Sequence, residues 1–346
     1  MRQIAVLSGK GGSGKTFVAS SLAAIAENAV LADCDVDAAN LHLMLHPTET
    51  DCAPFVSGTV ASIDAARCTA CGACVDACRF EAIALDSPPP QARPADAATP
   101  RADAGSPRAS TGSPRAEEAR AADGTERAVV DAIACEGCGV CGLVCPVDAV
   151  VFTEQRRGKW CVSRTPYGPL VHAHLEPGEE NSGKLVERVR REASRLATAS
   201  RLATASRIAT ASPGAEATGA DWILIDGPPG TGCAARSAMT GVDFLVIVAE
   251  PTVSGVRDAE RLVELATHFQ LPMGMVVNKA DLSSRQTTRL ERLASRHGIT
   301  MLGAIPFSTA VPRALTRLEP YPERHDDPIS AELRSIWNRI RESART

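Results

Sequence analysis

Ile4-Ala5-Val6-Leu7-Ser8-Gly9-Lys10-Gly11-Gly12-Ser13-Gly14-Lys15-Thr16 decides the fold. Four apolar residues that read as a buried strand run straight into G-x4-G-K-T. A helical stretch follows, and that is the context in which the motif is a phosphate-binding P-loop. Gly9, Gly11, Gly12 and Gly14 let the backbone turn its N–H groups, with those of Lys10 and Ser13, inward around phosphate oxygens. The helix N-terminus adds positive potential. Lys15 would neutralise charge on the β- and γ-phosphates, and the Thr16 hydroxyl would take a place on Mg²⁺. A bare glycine-rich turn accounts poorly for strand, Lys-Thr and helix together.

Outward from this loop the chain alternates strand and helix. Trp222–Ile225, Phe244–Ala249, Met273–Asn278 and Met301–Ile305 are short apolar runs without polar alternation. Strands buried on both faces look like this, which implies a mostly parallel sheet under helices. Gly255–His268 and Ser284–His297 read as crossover helices. Ile329–Arg341 reads as an amphipathic helix, its apolar side expected to pack on the sheet rather than on a membrane surface. The predicted class is α/β: a doubly wound, mostly parallel P-loop NTPase sheet. Val30–Asp37 is an apolar strand ending in Asp33, Asp35 and Asp37, where α/β sheets place ligands. Trp222–Gly230 has the form of a Walker B strand and its loop; Asp226 could order the second shell of Mg²⁺.

Cysteine supplies a second chemistry. Cys68, Cys71, Cys74 and Cys78 form C-x2-C-x2-C-x3-C, and Cys135, Cys138, Cys141 and Cys145 repeat it, followed by Pro146. Three thiolates spaced this way supply three corners of an iron–sulfur cube. The fourth comes from the other run, so two runs make two [4Fe–4S] clusters. Structural zinc usually takes two paired dyads and fits a triplet poorly. Cys34, Cys52, Cys161 and Cys233 lie outside these runs and read as small buried residues or spare thiols. This usage, with a nucleotide site, points to a reducing cytoplasm.

Two stretches read as insertions. From Asp86 to Arg127 there is no Val, Ile, Leu or Phe, so residues 86–127 are expected to be a disordered loop between the cysteine runs. Residues 194–219 carry the six-residue repeat Ser194-Arg195-Leu196-Ala197-Thr198-Ala199. A period of six builds no stable helical face, and a weakly helical or disordered linker is expected. With 346 residues and net charge −4, no global basic field favours nucleic acid, and aromatics are too scarce for base-stacking platforms. No run of 18 apolar residues exists to span a membrane.

These motifs together resemble two known families. Arg67 to Phe152 resembles a bacterial two-cluster ferredoxin, with Arg79 where a proline often stands. The resemblance assigns one cluster to Cys68, Cys71, Cys74 and Cys145, and the other to Cys135, Cys138, Cys141 and Cys78. Lys10–Thr16 resembles the deviant Walker A signature of MinD/Mrp-type ATPases, Asp33–Asn40 their switch I and Asp226–Gly232 their switch II. The combination, with Glu180–Val186, is similar to MinD-superfamily ATPases carrying an inserted ferredoxin. It implies an ATPase domain at 1–62 and 160–346 and an α+β ferredoxin domain at 63–159. Lys15 and Thr16 would bind phosphate and Mg²⁺. Asp35 would position the attacking water, with Asp37 as runner-up. Lys10 would reach the partner's nucleotide across an ATP-dependent homodimer. Asn278-Lys279-Ala280-Asp281 resembles a guanine reader, but relatives place an asparagine against adenine, so Asn278 belongs to the base site and ATP is favoured. His172 and His174 read as ordinary, partly buried histidines.

Three functions compete. Nucleotide turnover could act on the conformation or docking of a two-cluster electron carrier, whose redox partner is unknown. The chain could instead carry or assemble clusters for an iron–sulfur client, although Cys233 alone lies beyond Asp226 where related carriers use C-x2-C. Or it could be a positioning ATPase that senses redox state. The first is the expectation.

Overall fold

The computed structural model describes residues 1–86, 126–177, 179, 183–208 and 220–345. The chain begins β1 (Arg2–Ser8), α1 (Lys15–Ile25), β2 (Ala29–Asp33), α2 (Leu41–Met44), β3 (Glu49–Ile63), α3 (Ala73–Ala77) and β4 (Ile83–Asp86). It continues β5 (Arg127–Val130), α4 (Val140–Val144), β6 (Val150–Thr165), β7 (Gly168–Leu175), α5 (Lys184–Ile208), β8 (Trp222–Pro229), α6 (Cys233–Met239) and β9 (Phe244–Ala249). The last elements are α7 (Val253–His268), β10 (Met273–Asn278), α8 (Ser284–Arg296), β11 (Thr300–Ile305), α9 (Ala310–Thr316), α10 (Tyr321–Arg324) and α11 (Pro328–Ser343). Two compact units result, Met1–Phe55 with Arg156–Thr346, and Val56–Gln155. The expected boundaries at 62/63 and 159/160 lie inside β3 and β6, strands that continue through the division.

The main sheet has nine strands in the order β11-β10-β9-β1-β8-β2-β7-β6-β3. Ladders from β11 to β7 are parallel, and β6 joins β7 antiparallel. The order reverses at β1, so its crossovers place helices on both faces. Ala5, Leu7, Val30 and Ile223 look into one core with α5 to α8, while Ile4, Val6, Leu31 and Leu224 look into the other with α1 and α11. All six residues of β9 are buried, which is why its sequence shows no alternation. Ile329, Leu333, Ile336, Trp337 and Ile340 of α11 are buried, with Trp337 edge-on to Trp222 at 5.4 Å. The apolar side of this helix is therefore part of the core. Among the described residues no helix is long and apolar enough to cross a membrane.

Two expectations need correction. The first copy of the repeat is not a loose linker: α5 runs through it, with Ala193 and Ala197 buried and Leu196 packed on the sheet. Val186, Val189, Ala193 and Ala197 fall three or four residues apart, so the small residues extend an existing helical face. Residues 209–219 lie outside the described residues. Cys52 and Cys161 are not spare thiols but form a disulfide across 109 residues of sequence. Adjacent strands β3 and β6 bring them together, which spacing along the chain could not reveal.

In the smaller unit the cysteine runs build the same backbone twice. Gly72 (φ 77°) caps α3 and Cys78 ends it; Gly139 (φ 82°) caps α4 and Cys145 ends it. Ala70 matches Gly137, and Glu81 matches Asp148, all with positive φ. The core here is small: Ala61, Cys74, Ile83, Ala128 and Cys141. β4 pairs antiparallel with β5, and Asp86 stands opposite Arg127. Residues 87–125, where the disordered loop was expected, lie outside the described residues. Because their two ends are neighbours, deleting Pro88–Thr125 is expected to leave iron content and ATPase rate within about twofold, since closure entropy varies slowly with loop length. Iron assay and steady-state ATPase on the deletion check this; loss of iron would assign the segment a structural role.

Candidate functional site

The P-loop joins β1 to α1, and its neighbours come from the C-terminal ends of β2, β8, β9 and β10. Two glycines are fixed by close approach. A Cβ on Gly9 would lie 2.3 Å from the Asp258 backbone, and one on Gly14 (φ 91°) 2.1 Å from Asn278 Nδ2. Beside the loop is a cavity of about 1030 Å³ lined by Gly11, Gly12, Gly14, Lys15, Thr16 and Asp35, among others.

Lys15 is buried and bridges two carboxylates, 2.8 Å from Asp226 Oδ1 and 3.0 Å from Asp35 Oδ2. Burial works against its ammonium, yet Asp226, Asp35 and Asp33 outweigh it and raise the pKa. Burial pushes Asp226 upward while Lys15 pulls against it; Asp226 Oδ2 is buried without a hydrogen-bond partner. Asp33, which burial and Asp226 also push up, accepts from Asp35 N–H at 3.2 Å and Leu41 N–H at 3.0 Å. It shapes the segment between β2 and α2, a role sequence reading did not separate from those of Asp35 and Asp37. Asp37 lines the cavity.

Lys10 is held within its own chain, 3.1 Å from Glu250 Oε2, 3.1 Å from Thr252 Oγ1 and 3.2 Å from Ser254 Oγ. Lys279 takes the other Glu250 oxygen at 2.8 Å. Burial would raise the Glu250 pKa, but the two lysines hold it low. Glu250 was missed; an acid directly after an all-apolar strand was the available signal. Asn278 donates to Ser13 C=O at 2.9 Å and accepts from Lys279 N–H at 3.0 Å. Its amide clamps the P-loop, which sets the residue expected at the base site against the backbone of the phosphate loop. Ser13 is buried beneath that clamp. Residues 180–182 of the Glu180–Val186 motif lie outside the described residues.

Cys68, Cys71, Cys74 and Cys145 line one small pocket with Ile63, Ala128 and Val150. Ala70 N–H points to Cys68 Sγ at 3.5 Å, and Ala149 N–H to Cys145 Sγ at 3.2 Å. Backbone N–H groups lower the Cys145 pKa, whereas burial raises that of Cys74 and Cys141. Cys135 and Cys138 are neighbours of Cys141, and Cys78 and Cys135 pack on the unit's core. Elsewhere, His172 is buried and His174 half-buried on β7, and His42 of α2, unsuspected from sequence, meets them. Burial, with His42, His174 and Lys159, pushes His172 down to about 4.

Residues 4–321 match the CobQ/CobB/MinD/ParA nucleotide binding domain. The chain belongs to that family. A MinD/ParA-type chain is a P-loop nucleotide-binding protein. An uncharacterized protein of Methanocaldococcus jannaschii is 26% identical over 343 residues, covering 98% of this chain and 96% of its own. The septum site-determining protein MinD of Bacillus subtilis is 27% identical over 125 residues, 35% of this chain and 47% of its own. The crystal structure of the cell division ATPase MinD of Pyrococcus furiosus aligns with a TM-score of 0.49 at 16% identity, covering 99% of this chain and 98% of that one.

Proposed function

We propose that this MinD/ParA-type protein hydrolyses ATP with Mg²⁺ and that its nucleotide cycle acts on an electron-transfer unit holding two [4Fe–4S] clusters. The observation that carries the reading is the pocket shared by Cys68, Cys71, Cys74 and Cys145, since Cys145 comes from the other run. Four thiol donors with backbone N–H groups aimed at sulfur suit a cluster. So does the five-residue core around them, for a unit with so little buried apolar surface needs a staple. Cys68, Cys71, Cys74 and Cys145 would hold one cluster; Cys135, Cys138, Cys141 and Cys78 the other. The clusters would supply one-electron transfer.

At the nucleotide, Lys15 would exchange its carboxylate partners for phosphate oxygens. Thr16 and the unsatisfied Asp226 Oδ2 suit the inner and outer shells of Mg²⁺. Released from Lys15, Asp35 would be free to orient water. Both chain connections to the smaller unit run through β3 and β6, and β3 follows the Asp33–α2 segment closely. A switch that differs between ATP and ADP can bias the carrier's partner affinity only if the partner tells the two states apart. Measuring cluster reduction potential and partner binding with ADP and with a non-hydrolysable ATP analogue tests the coupling; identical values for both would defeat it.

The ligand assignment has its own test. Cys145→Ser is expected to remove about one cluster's worth of iron, that held by Cys68, Cys71 and Cys74. Iron counting and EPR of the reduced variant check it. Loss confined to the Cys135 run would overturn the shared-ligand reading.

A further inference from the structure

His172 and His174 stand two residues apart on β7 and therefore share one face of the strand. His42 arrives from α2. Ring centroids are 5.0 Å apart for His42–His172, 5.0 Å for His42–His174 and 5.3 Å for His172–His174. One ligand nitrogen from each lies within 4.8 Å of the others. His172 is 4% exposed, and its Nε2 sits 2.9 Å from Ser163 Oγ, itself 2.8 Å from Thr50 Oγ1. That contact anchors the ring from β6 and leaves Nδ1 buried with no hydrogen-bond partner; His42 Nδ1 is in the same condition. Buried ring nitrogens ordinarily find partners. Packing alone explains three stacked and edge-on rings, but not two buried ring nitrogens left without partners within the group.

We propose that His42, His172 and His174 form a binding site for one divalent transition-metal ion, with zinc the best fit. Imidazole nitrogen suits Zn²⁺, and a three-histidine set leaves a fourth position for water. Mg²⁺ and Ca²⁺ prefer oxygen, which this set does not offer. Tetrahedral zinc with its usual bond lengths needs nitrogens roughly 3.3 Å apart, so the rings must close in slightly. His42 and His174, only half-buried, have room to do so. Ser163 would act as the outer partner that fixes the orientation of His172. Cys161 stands opposite His172 in register, but its sulfur is bonded to Cys52.

The position of His42 gives the site a consequence. Leu41 N–H is held by Asp33, and Leu43 and Met44 line the nucleotide cavity. A metal tying α2 to β7 would restrain the segment that walls that cavity. This coupling, unlike the site itself, rests on the nucleotide reading of the cavity.

Titration of the full-length, iron-loaded protein with Co²⁺, followed by difference absorption, tests the site. One Co²⁺ per chain is expected, with d–d bands, no thiolate-to-cobalt charge transfer, and displacement by Zn²⁺. Affinity should fall about a hundredfold in His172→Ala, and about tenfold in Ser163→Ala, as for an outer partner. If His172→Ala misfolds, the half-buried His42→Gln and His174→Gln carry the test. Absence of the bands in the wild type, their survival in both glutamine variants, or a dominant charge-transfer band would overturn the site. Saturating Zn²⁺ is expected to shift nucleotide Kd severalfold in the wild type and not in His174→Gln. An unchanged wild-type Kd would overturn the coupling alone.

Discussion

Lys15→Ala is expected to abolish nucleotide binding, whereas Asp35→Ala is expected to keep it and to lose hydrolysis by about a hundredfold or more, the scale of a positioned group acting in the transition state. The geometry separates the two. Lys15 follows the last glycine of the P-loop and holds Asp35 and Asp226 together. Its removal leaves buried carboxylates without a counter-charge, so a loss of stability, for which about 3–5 kcal/mol is usual at a broken buried pair, should accompany the loss of binding. Asp35 lies on the other side of that pair. Deleting its carboxylate frees Lys15 for phosphate, so affinity should be unchanged or tighter while turnover falls. Calorimetric titration with an ATP analogue and single-turnover hydrolysis check both variants, and thermal melts separate misfolding from lost affinity. Equal loss of affinity in the two would make Asp35 a binding residue rather than the one that orients water.

How legible this was in the sequence depended on how local each feature is. β8, β9 and β10 could be read because strands buried on both faces show as unbroken apolar runs; β11 at the sheet edge shows the same run although only Leu302 and Ile305 are buried. The P-loop was legible because its glycines and Lys15-Thr16 are contiguous. β3 and β6 were not. They are long, largely exposed along much of their length and rich in polar residues, so no hydrophobic period marks them. Long-range pairings were invisible for the same reason: Cys52 with Cys161, His42 with His172 and His174, Lys10 with Glu250. Each depends on which strands become neighbours, and residue identity does not encode that. At Asn278 a family motif suggested contact with a base, and nothing in the sequence marked its bonds to Ser13 and Lys279.

Lys10→Ala is expected to bind ATP normally yet hydrolyse it slowly, by a factor approaching the roughly 10³–10⁵ that an arginine finger supplies. Lys10 is surplus to the P-loop's own charge balance, because backbone N–H groups and Lys15 face the phosphates. In the structure it is parked on Glu250, Thr252 and Ser254. Releasing it strands no charge, because Glu250 keeps Lys279 at 2.8 Å. Thr252 keeps the Gly255 N–H at 3.0 Å as the cap of α7. The lysine is thus held by contacts that survive without it, as a residue must be if it is to move between its own chain and a second one. In an ATP-dependent homodimer with facing sites, Lys10 would meet the negative charge that develops on the partner's phosphates. Wild-type ATPase should then rise steeply with protein concentration, and Lys10→Ala should lose that dependence. Light scattering with and without an ATP analogue, beside ATPase rates over a concentration series, decides the matter. A wild type that stays monomeric with ATP and turns over at a constant specific rate would leave Lys10 with only its bond to Glu250.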